Sequence, residues 1–287
     1  MERRETAVVA ANMWGSKEYQ ARAREAVPIL VRQALAGQPI FYQTLAAELG
    51  MPNPRNLNYP LGSVGQTLVE LGQQWGEPIP PLQCLVVNQQ DATPGQGFGW
   101  FMPDPEGWKR MSPMERRRTT EQVMQQIYAY PKWSAVLAAL KLEPVKNDFG
   151  DLLKQAASMR AGGEGEAHKR LKDYVRLHPN VVGAKTWGRP GRAEERLPSG
   201  DSLDVFFDAG AEWIAVEVKP IGSDEPDLAR GLYQCVKYTA VLRAMVVADQ
   251  VNVDARSVLV IEGLLTPRLR LLKTMLGVSV IEGFRVP

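Results

Sequence analysis

Three residues carry the strongest chemical signal in the chain: Asp204, Glu217 and Lys219. They lie on two β-prone segments, 202–208 and 213–219, joined by the turn Asp208-Ala209-Gly210-Ala211. Side chains alternate faces along a strand. Trp213, Ala215, Glu217 and Lys219 therefore share one face, and Asp204, Phe206 and Asp208 share another. Pairing the two segments as a hairpin brings Asp204 beside Glu217 at the end away from the turn. Two adjacent carboxylates raise the pKa of one of them unless a cation lies between. A hard divalent ion with oxygen ligands, Mg²⁺ or Mn²⁺, suits such a pair. Lys219 on the same face would orient the attacking water or neutralise a phosphate, which completes the equipment for metal-assisted phosphodiester hydrolysis. The bland counterpart is a surface hairpin with all three charges in water. Apolar flanks predict that helices cover this sheet, and an inward charge then needs a partner or a metal.

The elements that must position these residues follow from periodicity. Residues 166–177 read as a helix with Ala167, Leu171, Tyr174 and Val175 inward. Segment 181–187 reads as a strand, 227–242 as a helix, 257–261 as an apolar strand, 267–275 as a helix and 278–281 as a last strand. The order is αβββαβ followed by αβ, a mixed sheet flanked by helices.

This order, with Ser202-Leu203-Asp204 on one strand and Glu217-Val218-Lys219 on the next, resembles the PD-(D/E)xK nuclease superfamily, the restriction-endonuclease-like fold, over residues 160–285. Among the lysines only Lys219 has an acidic residue two places before it. Leu203 stands where the family's proline precedes the aspartate. The resemblance implies a carboxylate on the helix before the sheet, for which Glu166 is the candidate, with Glu164 as the alternative. It also implies a polar residue on the helix after the sheet, here Gln234, which shares a helix face with Tyr238. Catalytic residues would then be Glu166, Asp204, Glu217, Lys219 and Gln234, with Asp204, Glu217 and Glu166 holding Mg²⁺ or Mn²⁺. The implied substrate is nucleic acid, DNA first, in restriction or phage defence. Cutting both strands would call for a homodimer, nicking only a monomer. An activating ligand or partner protein is compatible with everything above.

Arg230 and Lys237 could meet phosphates, or pair with Asp227, or stay solvated. Lys185, Arg189, Arg192 and Arg196 precede Asp204 in a Gly/Pro-containing segment; they read equally as a loop reaching DNA or as a polar loop balancing Glu194 and Glu195. His168 is either a substrate contact or a helix-surface histidine, the second being commoner.

The N-terminal 110 residues follow a different plan. Helices are expected over 18–35, 41–49 and 61–75, then a strand at Cys84-Leu85-Val86-Val87 and a return strand at Trp100-Phe101. Three helices and a β-hairpin make the order of a winged helix-turn-helix. Tyr42-Gln43-Thr44-Leu45-Ala46, Val64-Gly65-Gln66-Thr67-Leu68 and the Ile79–Val87 stretch resemble the winged-helix half of the alkylguanine alkyltransferases. That family needs a Pro-Cys-His-Arg acceptor motif, whereas Cys84 is followed by Leu85 with no activating histidine. Target choice or docking is the expected role. Ser112-Pro113-Met114-Glu115 is a capping box, and residues 111–160 read as a mostly helical connector between an N-terminal domain, 1–110, and a nuclease-like domain, 161–287. If the nuclease reading fails, a non-catalytic nucleic-acid binder or a winged-helix adaptor remains.

Composition sets the outer bounds. The 287 residues are 45% hydrophobic and 23% charged, ordinary for a chain that folds around real cores. Lys and Arg number 34 against 32 Asp and Glu, a net +2, so no half is strongly basic and any nucleic-acid contact must come from local placement. Two cysteines and two histidines exclude a disulfide framework and a zinc cluster. The start, Met1-Glu2-Arg3-Arg4-Glu5-Thr6, has no signal-peptide core, and no apolar run approaches a membrane span of about 18 residues. The expectation is a soluble, cytoplasmic protein.

Overall fold

The computed structural model describes residues 10–102, 104–146, 149–158 and 165–287. Met1–Thr6 and Glu164 lie outside the described residues. The chain divides into two compact units, 1–146 and 147–287.

The first unit is mainly helical. Helix α1 (Glu18–Ala36) ends where Gly37 adopts φ 66°, a left-handed cap that glycine takes without a Cβ penalty. Strand β1 (Ile40–Phe41), α2 (Tyr42–Glu48) and α3 (Asn58–Trp75) follow, then β2 (Val86–Val87). The expected wing is absent among the described residues: β2 pairs with β1 in parallel, and Trp100-Phe101 closes a 3₁₀ turn, Gln96–Phe101, instead of returning as a strand. Glycines 95, 97 and 99 favour that turn over a strand, and Phe98 is held edge-on against Trp108 at 5.4 Å.

Three further helices, α4 (Pro105–Arg110), α5 (Pro113–Ala129) and α6 (Trp133–Ala139), complete the unit. The Ser112–Glu115 capping box forms, with the Ser112 amide donating to Glu115 Oε2 at 2.8 Å. These helices are no connector. Val123, Met124, Ile127, Trp133, Val136 and Leu137 are buried in the same core as Val27, Leu30, Val64 and Leu68. Apolar surface on α5 and α6 recruits them into the first unit, so the boundary moves to about residue 147.

The second unit is an α/β layer structure. Its elements are α7 (Gly150–Ser158), α8 (Glu166–Leu177), β3 (Arg192–Arg196), β4 (Ser202–Asp208), β5 (Glu212–Lys219), α9 (Glu225–Ala248), β6 (Asp254–Ile261), α10 (Pro267–Leu276) and β7 (Ser279–Ile281). The expected strand at 181–187 does not form. Pro179–Val182 is a 3₁₀ turn closed by Gly183 at φ 70°, and the Val181, Gly183 and Ala184 amides donate to the His178, Asn180 and Pro179 carbonyls rather than to a ladder, so Arg192–Arg196 supplies the edge strand. Sheet order is β3-β4-β5-β6-β7, antiparallel from β3 to β5 and parallel from β5 to β7.

Helices cover both faces. Leu171 and Val175 of α8 pack on Val205, Phe207, Ile214, Val216 and Val218. On the other face Tyr238 and Leu242 of α9 pack on Leu203, Phe206 and Ala215, and Leu228, Leu232 and Leu269 pack on Leu259 and Ile261. Strand β5 is therefore buried from Ile214 to its end, with charged Glu217 and Lys219 inside that run. Among the described residues no helix is long and apolar enough to cross a membrane.

Candidate active site

Strand register builds the site. The β4–β5 pairing runs from Asp208–Trp213 to Val205–Val216, and Asp204 and Glu217 follow directly beyond it. There Asp204 leaves the ladder: its Oδ2 accepts the Val218 amide at 2.8 Å and its Oδ1 faces His168 Nε2 at 3.1 Å. His168 sits one turn before Leu171 and Lys172, on the buried face of α8. Asp204 raises the imidazole pKa through that hydrogen bond, against the opposing effect of burial.

Glu217 is only 3% exposed. Its Oε2 accepts the Tyr238 hydroxyl at 3.1 Å, and Lys219 Nζ lies 3.3 Å from its Oε1. Burial first, and the neighbouring Asp204 carboxylate second, push the Glu217 pKa up to about 7. Burial of Lys219, which is 7% exposed, opposes its charge, but Glu217 and Asp227 outweigh that and leave its pKa raised. Asp227 Oδ1 accepts from Nζ at 2.8 Å.

Asp227 owes its position to the start of α9. The side chain of Asp224 caps the helix by accepting the Asp227 amide at 2.9 Å, placing Asp227 in the first turn, where the helix dipole favours a carboxylate. One turn on, Gly231 lets Lys219 pass: a Cβ there would stand 3.1 Å from Lys219 Cε and 3.0 Å from Leu259. Further along the same helix Gln234 Nε2 donates to the Tyr238 hydroxyl at 3.1 Å, forming a relay from Gln234 through Tyr238 to Glu217. Gln234 Oε1 is buried without a partner. Gln234 lines a cavity of about 530 Å³ together with Asp201, Arg230 and Lys237.

The structure thus brings together Asp204, Glu217, Lys219 and Gln234. Glu166 is exposed in the first turn of α8, and the residue which that helix turns toward Asp204 is His168, two positions on. Of the basic candidates, Lys237 pairs with Asp201 at 2.7 Å rather than with Asp227, and Arg192 pairs with Glu195 at 3.2 Å while lying over the Phe206 ring. Lys185 and Arg189 are exposed on the loop before β3. Arg230 faces the Gln234 cavity.

Asp227, His168 and Gly231 are the residues that sequence reasoning missed or ranked low. The spacing His168, Leu171, Lys172, Val175 was a readable helical stripe. Asp227 was visible as an acidic first-turn residue after Asp224-Glu225-Pro226, but its partner lies across the fold. A further buried carboxylate, Glu262 after β6, accepts the Ile221 amide at 2.8 Å and pairs with Arg170 at 3.0 Å, so it pins the exit of β5. Neither cysteine joins the chemistry: both thiols are fully buried, which raises their pKa and keeps them protonated.

Among the described residues no three His, Cys, Asp or Glu side chains form a ready-made metal group. Each carboxylate oxygen of Asp204 and Glu217 faces one partner, His168 and the Val218 amide on Asp204, Tyr238 and Lys219 on Glu217, and a hard cation at this pair would have to use the remaining lone pairs. Mg²⁺ is commonly held by one or two carboxylates, with waters and substrate phosphate completing its shell. Comparison with known proteins returns no match, whether to family models, to curated proteins or to solved structures, so the geometry alone carries the functional reading.

Proposed function

We propose that the second unit is a divalent-metal-dependent phosphodiesterase, a nuclease acting first on DNA. The observation that carries this reading is the placement of Glu217. A carboxylate buried on a central strand beside a second carboxylate is destabilising unless positive charge offsets it. Lys219 supplies one such charge, shared with Asp227.

Asp204 and Glu217 would hold the cation, which when bound would acidify a water and neutralise the phosphate. The chain's own groups do the rest. The Val218 amide and His168 fix the Asp204 carboxylate. Tyr238, itself held by Gln234, fixes Glu217. Lys219 carries a permanent positive charge at the same spot, suited to steer the attacking water or the developing phosphorane charge. Arg230 and Lys237, around the adjoining cavity, suit the flanking phosphates. The αβββαβ order and the mixed sheet support the restriction-endonuclease-like reading, and His168 takes the place given to a helix carboxylate.

The experiment is direct. Purified protein is incubated with plasmid, linear duplex, single-stranded DNA and RNA, with Mg²⁺, Mn²⁺ or EDTA. Metal-dependent cleavage that disappears in Lys219→Ala and Asp204→Asn is expected. Absence of cleavage on all four substrates, together with no calorimetric Mg²⁺ or Mn²⁺ binding, would leave the non-catalytic binder as the correct reading.

A further inference from the structure

The loop before β3 holds a side chain that the fold does not need. Trp187 is 81% exposed, the most exposed large hydrophobic residue described. It sits in a closed turn in which the Arg189 amide donates to the Thr186 carbonyl at 3.2 Å. Thr186, itself buried, donates its hydroxyl to the Arg189 carbonyl at 2.7 Å. Both central residues have positive φ, 53° at Trp187 and 79° at Gly188.

That is the pattern of a type I′ turn, whose first central position takes Asn, Asp or Gly; a bulky residue there is an outlier. The turn is also anchored at both flanks. The Ala184 amide donates to the Pro179 carbonyl at 2.9 Å, and the Gly191 amide donates to the carbonyl of Arg176, near the end of α8, at 2.8 Å. Trp187 therefore has a left-handed backbone in an anchored turn and its ring in water, with exposed Lys185 two residues before it and exposed Arg189 two residues after, the Arg189 Nε also donating to the Thr186 carbonyl at 3.4 Å.

We infer that Trp187 is a stacking platform for an unpaired nucleobase, with Lys185 and Arg189 meeting the adjoining phosphates. The chemistry selects the partner. An exposed aromatic ring with a cation two residues away on each side in sequence matches a single-stranded nucleic acid, which offers π-faces and a charged backbone together. Placement agrees: α8 runs about 14 Å from His168, at the site, to Leu177 at 1.5 Å per residue, and the flank of the turn is tied to the end of that helix through the Gly191 amide and the Arg176 carbonyl. The inference rests on the nuclease reading only for what happens to the strand; the platform itself predicts binding without metal.

Its test uses the whole chain in EDTA and the fluorescence anisotropy of a labelled oligothymidylate and of a blunt duplex. Trp187→Asn removes the ring and gives the turn an asparagine–glycine pair at its centre, the dipeptide that type I′ turns favour, so the variant folds at least as well. Trp187→Phe keeps a ring. The expected result is a loss of about ten-fold or more in oligothymidylate affinity for Trp187→Asn, most affinity kept in Trp187→Phe, and unchanged duplex affinity. Equal oligothymidylate affinity of wild type and Trp187→Asn would overturn the platform, as would wild-type protein that ignores the oligonucleotide but binds phosphatidylserine vesicles through Trp187. Metal-dependent cleavage of duplex DNA is scored separately, so the failure of the active site and the failure of the platform remain distinguishable.

Discussion

Replacing Glu217 by glutamine should make the metal-free protein more stable at pH 8 while removing its response to Mg²⁺. In the folded state the Glu217 pKa is raised from 4.5 to about 7. A carboxyl with a raised folded pKa adds stability below its unfolded pKa and loses it as pH rises through the folded value. The window is therefore about pH 4.5 to 7. At about 1.4 kcal/mol per pKa unit, ionising Glu217 costs the fold roughly 3 kcal/mol by pH 8. Glutamine mimics the protonated carboxyl in size and still accepts from Tyr238, and Lys219 keeps Asp227 at 2.8 Å. The assay is urea unfolding of wild type and Glu217→Gln in EDTA at pH 5 and pH 8, with amide exchange on β5 reporting the second unit by itself. The variant should gain on wild type by about 2–3 kcal/mol between the two pH values. Adding Mg²⁺ at 100 times its dissociation constant should stabilise wild type by about 2.7 kcal/mol and leave the variant unmoved. A variant with the same relative stability at both pH values, and no Mg²⁺ effect on wild type, would show that Lys219 already satisfies Glu217 and that the carboxylate pair is a structural ion network.

Other expectations are narrower. Gly231→Ala drives a methyl against Lys219 and Leu259, so it should cost about 1–3 kcal/mol in urea unfolding and depress cleavage through Lys219. Tyr238→Phe removes a hydrogen bond that lowers the Glu217 pKa, so carbon NMR of the Glu217 carboxyl should show titration at still higher pH; an unchanged midpoint would refute the relay. His168→Ala should weaken Mg²⁺ binding by disordering Asp204, measured by calorimetry, whereas Glu166→Ala should leave that affinity alone because Glu166 is exposed. Trp187→Asn should raise stability by about 1 kcal/mol, relieving the left-handed tryptophan, and a thermal melt that falls instead would show the ring has a packing role.

Much of the second unit was legible in the chain itself. Alternation in 202–208 and 213–219 is a local property, so strands β4 and β5, their turn, and the meeting of Asp204 with Glu217 followed from period-two spacing. Helical stripes likewise placed α8, α9 and α10, since an apolar face every three to four residues has one way to be buried. Local signals failed where tertiary burial decided. Residues 181–187 look strand-forming, yet the sheet edge went to Arg192–Arg196, whose backbone could pair with β4 across Val205 and Leu203. Trp100-Phe101 had strand propensity, but a glycine-rich neighbourhood and the Trp108 contact closed it into a turn. Helices α5 and α6 carried apolar faces whose destination no local pattern specifies, and only packing against α1 and the 82–85 turn assigned them to the first unit.

For the site, residue types and strand spacing determined that a carboxylate pair and a lysine would meet. Only the tertiary structure decided which helix residue faces Asp204, that Asp227 shares Lys219, that Gly231 clears its path, and that Tyr238 reaches Glu217. Each of these depends on distances between elements far apart in sequence, which periodicity within one element does not contain.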